Sequence, residues 1–354
     1  MTPSTGPVLT TRQLNRSILA RQLLLERSDA QIPDALEQVA GLQTQYAPSG
    51  YIGLWSRLRR FERADLDAAL EDRRVVHGTL MRSTIHMVSA RDYWLFATGS
   101  RPGRRAWWER VRRSDLQGVD MTEVVACVRD ALSERPRRHR EMVDLLAARG
   151  FPPVAWQGAG EWLDLVRLPP SGTWARRRAD LYGLAEDWLG SGERISETEG
   201  LRHLARCYLA GFGPASITDM ASWAGLPVAT LRPAIDDLDL RPYRSDQGAE
   251  LLDLPEAVVP DPDTPAPPRF LGTWEATLLV HARRALVLAE EHRPLIFATK
   301  NPKSSPTFLV DGAVAGTWRY VEGQIAIEPF TPLNGGVRRQ VDEEAERLAA
   351  FHAD

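Results

Sequence analysis

The chain has 354 residues, 43% hydrophobic and 26% charged, with a net charge of −3, the balance of a globular protein too long for one compact core. No apolar run reaches the roughly 18 residues a membrane-crossing helix needs, and the segment Met1–Gly6 has no basic-then-apolar leader. Two distant cysteines, Cys127 and Cys207, suit neither a disulfide framework nor a zinc site, so a reducing cytoplasm is expected, with no metal and no cofactor.

Thr10 or Thr11 opens a helix running to Arg27, with Leu14, Ile18, Leu19, Leu23 and Leu24 on a near-helical period. A second helix runs from Pro33 to Leu42. Then comes Gly41-Leu-Gln-Thr-Gln-Tyr-Ala-Pro-Ser-Gly-Tyr-Ile-Gly-Leu-Trp55. Gln43 and Gln45 are two apart, so extended backbone points both side chains the same way, whereas a helix would separate them by about 200°. Pro48, Gly50 and Gly53 favour extended or turn backbone. Two parallel carboxamides offer acceptor oxygens and donor groups to one small object, a water or a sugar atom. The plain alternative is a pair of solvated loop glutamines.

Helices follow over Tyr51–Arg60 and Ala64–Arg73. Val75 to Ser89 switches to period two, a hairpin with Leu80, Arg82, Thr84 and His86 on one face near the glutamine turn. Helices followed by a hairpin is the winged-helix plan. Asp92–Val111 and Thr122–Ser133 connect to a second such unit, made of helices Arg138–Arg149 and Val154–Leu168 and a strand Gly172–Tyr182. A third has a helix Ser196–Tyr208, a helix-turn-helix across Pro214–Leu238 turning at Gly225, and a wing Arg241–Leu254. Val259–Pro268 is a proline-rich linker. A helix Glu275–Arg283, strands Pro294–Thr299, Pro306–Tyr320 and Gln324–Phe330, a turn at Asp311-Gly312 and a helix Val337–His352 complete the chain. The expected units are 10–133, 134–192, 193–258 and a β domain 269–354 with a hairpin loop 299–306. The fold class is α+β.

Arginines cluster at Arg101, Arg104, Arg105, Arg110, Arg112 and Arg113, around Trp107 and Trp108. They cluster again at Arg135–Arg140 and at Arg176–Arg178. A polyanion feels such local patches, not the net charge, although solvated helix faces also carry arginines. The only two lysines, Lys300 and Lys303, share one short loop.

The Gly41–Gln45 pair, the block Gly78-Thr-Leu-Met-Arg-Ser-Thr-Ile-His-Met-Val-Ser-Ala-Arg-Asp-Tyr93 and Pro306-Thr-Phe-Leu-Val-Asp-Gly-Ala-Val-Ala-Gly-Thr-Trp318 occur in that order. In these blocks the chain resembles the winged-helix DNA glycosylases of the AlkZ and YcaQ type, from about Leu14 to Phe351. The resemblance implies tandem winged-helix units and a C-terminal β domain around a C-shaped cleft for double-stranded DNA. It implies excision of bulky or crosslinking N7-alkylguanine and other cationic alkylpurines, in DNA repair or self-resistance to a DNA-alkylating natural product. The catalytic motif of that family falls on Gln43 and Gln45. Members usually carry Leu-Pro and an Asp where this chain has Leu271-Gly272 and Glu275, and often Asn-Gly near Asn301-Pro302.

The chemistry can be argued beside the resemblance. N7 alkylation makes the purine a cationic leaving group that needs no acid. Carboxamides are poor bases, yet they orient a water and turn partial negative charge toward a developing positive C1′. A true general base needs a carboxylate or histidine, and His86 is the alternative for that role. A Schiff-base route needs an amine. Lys300 and Lys303 read better as phosphate or minor-groove contacts, which makes the reaction hydrolytic and monofunctional. The expected DNA contacts are Arg82, Thr84, His86, Arg104, Arg105, Arg176, Arg177, Lys300, Asn301 and Lys303. Bulky adducts are awkward to extrude, so an aromatic base-flipping pocket is not expected. Without a heptad or dimer helix, a nucleoid-associated monomer is expected. The rival readings are a transcription regulator without chemistry and a protein that sequesters the adduct.

Overall fold

The structure is a computed structural model that describes residues 6–353 apart from 193, 280–283 and 299–302. The helix Thr11–Arg21 starts on a capping box between Thr10 and Gln13 and stops well before Arg27, where Leu23 turns left-handed at φ 56°. The helix Ile32–Gln38 ends as Ala40 and Gly41 take φ 61° and 75°. Glycine is at ease there, and a Cβ on Gly41 would stand 2.8 Å from Val88 Cγ1. This reversal sends the chain into the strand Leu42–Gln43, which pairs antiparallel with Ile85–Ser89 and sets Gln43 opposite His86. The next helix, Ala47–Arg57, is buried on every face, as its small and apolar residues allow.

The first hairpin joins Val75–Thr79 to Ile85–Ser89. Its turn departs from the expected alternation. Leu80, Arg82, Thr84 and His86 do not share a face, because Arg82 and Ser83 both stand at φ 56° and wind the chain into a one-turn helix.

In the second unit, the helix Pro153–Trp162 gives way to a strand Leu165–Arg167 where a helix to Leu168 was expected. The expected strand Gly172–Tyr182 is a loop followed by a strand Leu181–Leu184. Ser171 Oγ folds that loop by accepting from the amides of Asp180 and Leu181 at 2.7 and 3.0 Å. His77 pairs with Arg167, so the two hairpins fuse into one six-stranded sheet.

The third unit has helices Glu197–Phe212, Ile217–Ala224 and Val228–Asp236, with Gly225 left-handed at φ 73° between the last two. Strands Arg241–Ser245 and Glu250–Asp253 form an antiparallel hairpin after them, where a wing was expected. The long helix Tyr93–Val111 lies on Glu197–Phe212, and Gly99 meets the backbone of Gly200 where no Cβ would fit.

The C-terminal sheet runs Arg269–Leu271, Thr307–Val310, Ala313–Val321, Gln324–Pro329. The helix Gly335–Ala353 shares an apolar core with this sheet and with Ala47–Arg57, including Phe270, Phe308, Leu348 and Phe351. Asp311 and Gly312, at φ 45° and 80°, make the expected two-residue hairpin turn. Two expectations fail here. Within Glu275–Arg283 only Ala276–Leu278 forms a helical turn among the described residues. The Pro294–Thr299 segment begins as a helical turn, Arg293–Ile296, and only Phe297–Ala298 pairs, with Lys303–Ser304.

Buried ion pairs staple these parts. Arg57 Nη2 donates to Glu275 at 2.8 Å, with the two side chains 0% and 4% exposed. Arg27 and Glu344 stand at 2.6 Å, and Arg21 and Asp253 at 2.7 Å. Glu275, one of the departures from the family pattern, thus serves to hold the helix after the glutamines. Among the described residues no helix is long and apolar enough to cross a membrane. Removing one partner of a buried pair strands the other charge, so Glu275→Ala should cost about 3–5 kcal/mol in urea unfolding. Arg57→Met with Glu275→Met should cost less than Glu275→Ala alone, and equal costs would show that the two are uncoupled.

Candidate active site

Gln43 is 7% exposed. Its Oε1 accepts from Arg82 Nη2 at 2.8 Å. Gln45 is exposed, and its Oε1 accepts from the backbone amide of Ile85 at 2.7 Å. Arginine and a backbone N–H can only donate, so both amides are fixed with oxygen toward the protein. Each of the oxygens expected to be offered to a small object thus already accepts one hydrogen bond from the protein. Each oxygen keeps one spare lone pair, and the amino group of Gln43 makes no hydrogen bond among the described residues.

Arg82 is the clamp. Its Nη1 donates to the carbonyl of Trp223, and a Cβ on Gly225 would touch its side chain. The turn of the first hairpin is thus locked onto the turn between the helices Ile217–Ala224 and Val228–Asp236. Burial lowers Arg82 to about 10, so it stays charged at neutral pH. His86 is buried, with Nδ1 3.1 Å from the Thr84 carbonyl. Burial first, then Arg82 and Arg104, pull its pKa down to about 3. Buried and neutral, it is placed neither as a general base nor as a cationic phosphate contact, and the alternative of a packed wing histidine is the one the structure supports. The Thr84 hydroxyl is half-buried and donates to Met81.

Next to Gln45, Tyr46 lines a cavity of about 400 Å³ with Trp174, Arg177, Trp318 and Tyr320. An adjoining cavity of about 410 Å³ shares Tyr46, Thr273 and Trp318 and extends to Ser304, at the base of the lysine hairpin.

A family model described as DNA glycosylase AlkZ-like matches residues 36–351. The chain belongs to that family. A curated relative, the interstrand DNA cross-link repair glycosylase of Streptomyces sahachiroi, is 24% identical over 96% of this chain and 95% of its own length. The solved structure of the Streptomyces sahachiroi DNA glycosylase AlkZ has a TM-score of 0.80 at 20% identity, covering 98% of this chain and 97% of that one. That likeness establishes the shared fold.

Of the other residues expected at an AlkZ-like interface, Arg104 is 3% exposed and donates to the carbonyls of Thr79 at 2.6 Å and Gly160 at 3.3 Å. It ties the long helix to the sheet and, almost fully buried, is not the expected phosphate contact, a further correction. Arg105 is exposed but paired with Glu109 at 3.0 Å. Arg176 and Arg177 are exposed, and Arg177 donates to the Tyr46 hydroxyl at 2.8 Å. The third arginine cluster thus reaches the glutamine turn. Lys300 and Asn301 lie outside the described residues. Lys303 is placed by its backbone, which pairs with Ala298.

Sequence reasoning missed Tyr46, Trp174 and Tyr320 as site neighbours. Only the position of Tyr46, directly after Gln45, pointed that way. The expectation of too few metal ligands met one group among the described residues, where Asp92, His203 and Cys207 place ligand atoms within 4.8 Å of one another. Burial raises the Cys207 thiol well above its ordinary value, so the protonated form is favoured.

His77, His86, His203 and His352 are held by burial at about 4, 3, 4 and 4, against an ordinary 6.5. The unfolded chain binds more protons in that interval, so this contribution to stability is complete above about 6.5 and is lost as pH falls toward 4. Urea midpoints measured at pH 7 and pH 5 should show lower stability at pH 5. Equal midpoints would contradict neutral burial of these rings.

Proposed function

We propose that the protein is a monofunctional DNA glycosylase that hydrolyses the N-glycosidic bond of N7-alkylguanine and other cationic alkylpurines in duplex DNA, bulky and crosslinking lesions included. The observation that carries this reading is the pair of neutral carboxamides, each held in orientation by a hydrogen bond to its oxygen, with the imidazole opposite Gln43, His86, buried and neutral. Such a site holds a water and faces a developing positive charge with oriented dipoles. It offers no acid to a neutral base. It suits a purine that alkylation has already made a leaving group.

In this reading, the spare lone pair on Gln45 Oε1 accepts from the attacking water, and the amino group of Gln43 donates to an oxygen of the lesion strand. Arg177, which lines the cavity beside Tyr46, and, by their chemistry, Arg176, Arg105, Lys300, Asn301 and Lys303 supply contacts to the backbone of the duplex. Membership of a glycosylase family and the named crosslink repair of the relative support this direction. The regulator reading loses ground because the turn of the helix-turn-helix is packed under Arg82. Self-resistance to an alkylating natural product remains the proposed biological setting.

Duplex carrying N7-alkylguanine should release free modified base and acquire alkali-labile sites. Absence of both at excess protein would remove the enzyme reading, and a borohydride-trapped adduct would remove the hydrolytic one. Gln43→Ala with Gln45→Ala should slow single-turnover excision by about a hundredfold with little change in duplex affinity. An equal collapse of affinity would make the glutamines structural.

Arg82→Met should slow excision by about tenfold or more while keeping affinity, because a charge-assisted bond worth about 1.5–3 kcal/mol no longer sets the Gln43 amide. Arg82→Lys should recover part of that rate. Full activity in Arg82→Met would show that Gln43 needs no clamp.

A further inference from the structure

The cavity beside Tyr46 is walled by aromatic rings drawn from four separate segments. At its floor, His352 stacks on Tyr320 at 4.4 Å and 19°, and meets Trp174 edge-on at 5.0 Å and 70°. Trp318, its indole donating to the Leu271 carbonyl at 3.0 Å, closes another side. The walls are held in advance: the Ser49 and Thr273 hydroxyls bond at 2.6 Å across the seam between the glutamine helix and the C-terminal sheet. Yet Tyr46 and Tyr320 are each 40% exposed, and neighbouring Val321 is 44% exposed. Rigid aromatic surface open to water, next to a reactive turn, is what a binding pocket for a flat ring requires.

The charges around it select among flat rings. Arg177 lies 5.8 Å from the Tyr46 ring and 6.0 Å from that of Trp174, and Arg63 sits over Trp174 at 4.8 Å. These cations oppose entry of an N7-alkylated purine, which is itself cationic. They do not oppose an uncharged ring.

We propose that this aromatic box is a binding subsite for a neutral, planar, fused-ring group carried on the alkyl substituent of the lesion, and so helps decide which adducts are excised. The proposal rests on the glycosylase reading above and adds a specificity determinant to it. The lesion purine stays outside the box near Gln43 and Gln45, while its substituent lies against Tyr46, Trp174 and Tyr320.

The test uses duplexes bearing N7-guanine adducts of matched bulk, one with a fused two-ring arylmethyl group and one with its fully saturated counterpart, beside N7-methylguanine. Duplex binding and single-turnover excision are measured for the wild type, Tyr320→Ala and Trp174→Leu. The wild type should favour the aromatic over the saturated adduct by about tenfold, and both variants should bring that ratio close to one, with the methyl adduct as internal reference. No aromatic preference in the wild type, or an undiminished one in the variants, overturns the subsite. If Trp174→Leu does not fold, Tyr320→Ala decides the matter, because its ring is half in solvent. If a 2-aminopurine opposite the lesion brightens while the aromatic preference is flat, the box houses the orphaned base and the proposal is wrong. If the wild type releases no adduct at all, the glycosylase reading fails instead, and the binding ratio still judges the subsite.

Discussion

Arg82 is where three parts of this molecule meet. Its guanidinium holds the Gln43 amide on one side and the Trp223 carbonyl on the other, and its own left-handed backbone bends the hairpin turn in which it sits. Because arginine has donors and no acceptor, it decides the orientation of a group that could otherwise flip. It also helps keep His86 neutral. Replace it with an uncharged side chain of similar volume, and the sheet would still form while the Gln43 amide lost its reference direction. The fold and the chemistry of the site are therefore separable at this residue.

The second constraint is the seam between the N-terminal helices and the C-terminal sheet. Arg57 with Glu275 and Arg27 with Glu344 are desolvated pairs. Such pairs repay little of their desolvation and are weak sources of net stability. Their geometry is demanding, however, and a seam built on them closes in one register. The apolar contacts around Phe270, Phe308 and Phe351 supply the favourable burial, and the ion pairs choose its alignment. The aromatic cavity lies along this seam, so its walls inherit that alignment.

Much of the site could be read in the sequence, for a local reason. Gly41 ahead of Gln43 argues for a break into extended backbone, and the strand Leu42–Gln43 is what formed; Pro48, Gly50 and Gly53, expected to favour extended or turn backbone, instead lie in the helix Ala47–Arg57, where proline is at ease in the first turn. Turn chemistry at Asp311-Gly312 and Gly225 was equally local. The misses share a different cause. Arg82 and Ser83 adopt positive φ without being glycine, asparagine or aspartate, so composition carries no trace of it. His86 and Arg104 are polar at positions that look solvent-facing, and only the packing of the long helix across the sheet buries them. The pairing of His77 with Arg167 spans ninety residues of chain, and nothing in either segment alone specifies it. The aromatic box is assembled from residues near 46, 174, 320 and 352, a set with no spacing to detect.

A site built on two neutral carboxamides has a narrow chemical repertoire, and that narrowness is informative. On the proposed reading, the barrier that remains is capture of a cationic sugar by water, a step that oriented dipoles can lower without transferring a proton first. A neutral amide at Gln43, in the buried strand Leu42–Gln43, also avoids the desolvation cost that a carboxylate would carry beside Leu42 and Met87. The same economy forfeits uncharged bases, whose departure requires protonation. Discrimination between damaged and normal purines then comes from the charge on the leaving group itself, before any contact reads the base. Contacts such as those at the aromatic box are left to choose among lesions that have already passed this chemical filter.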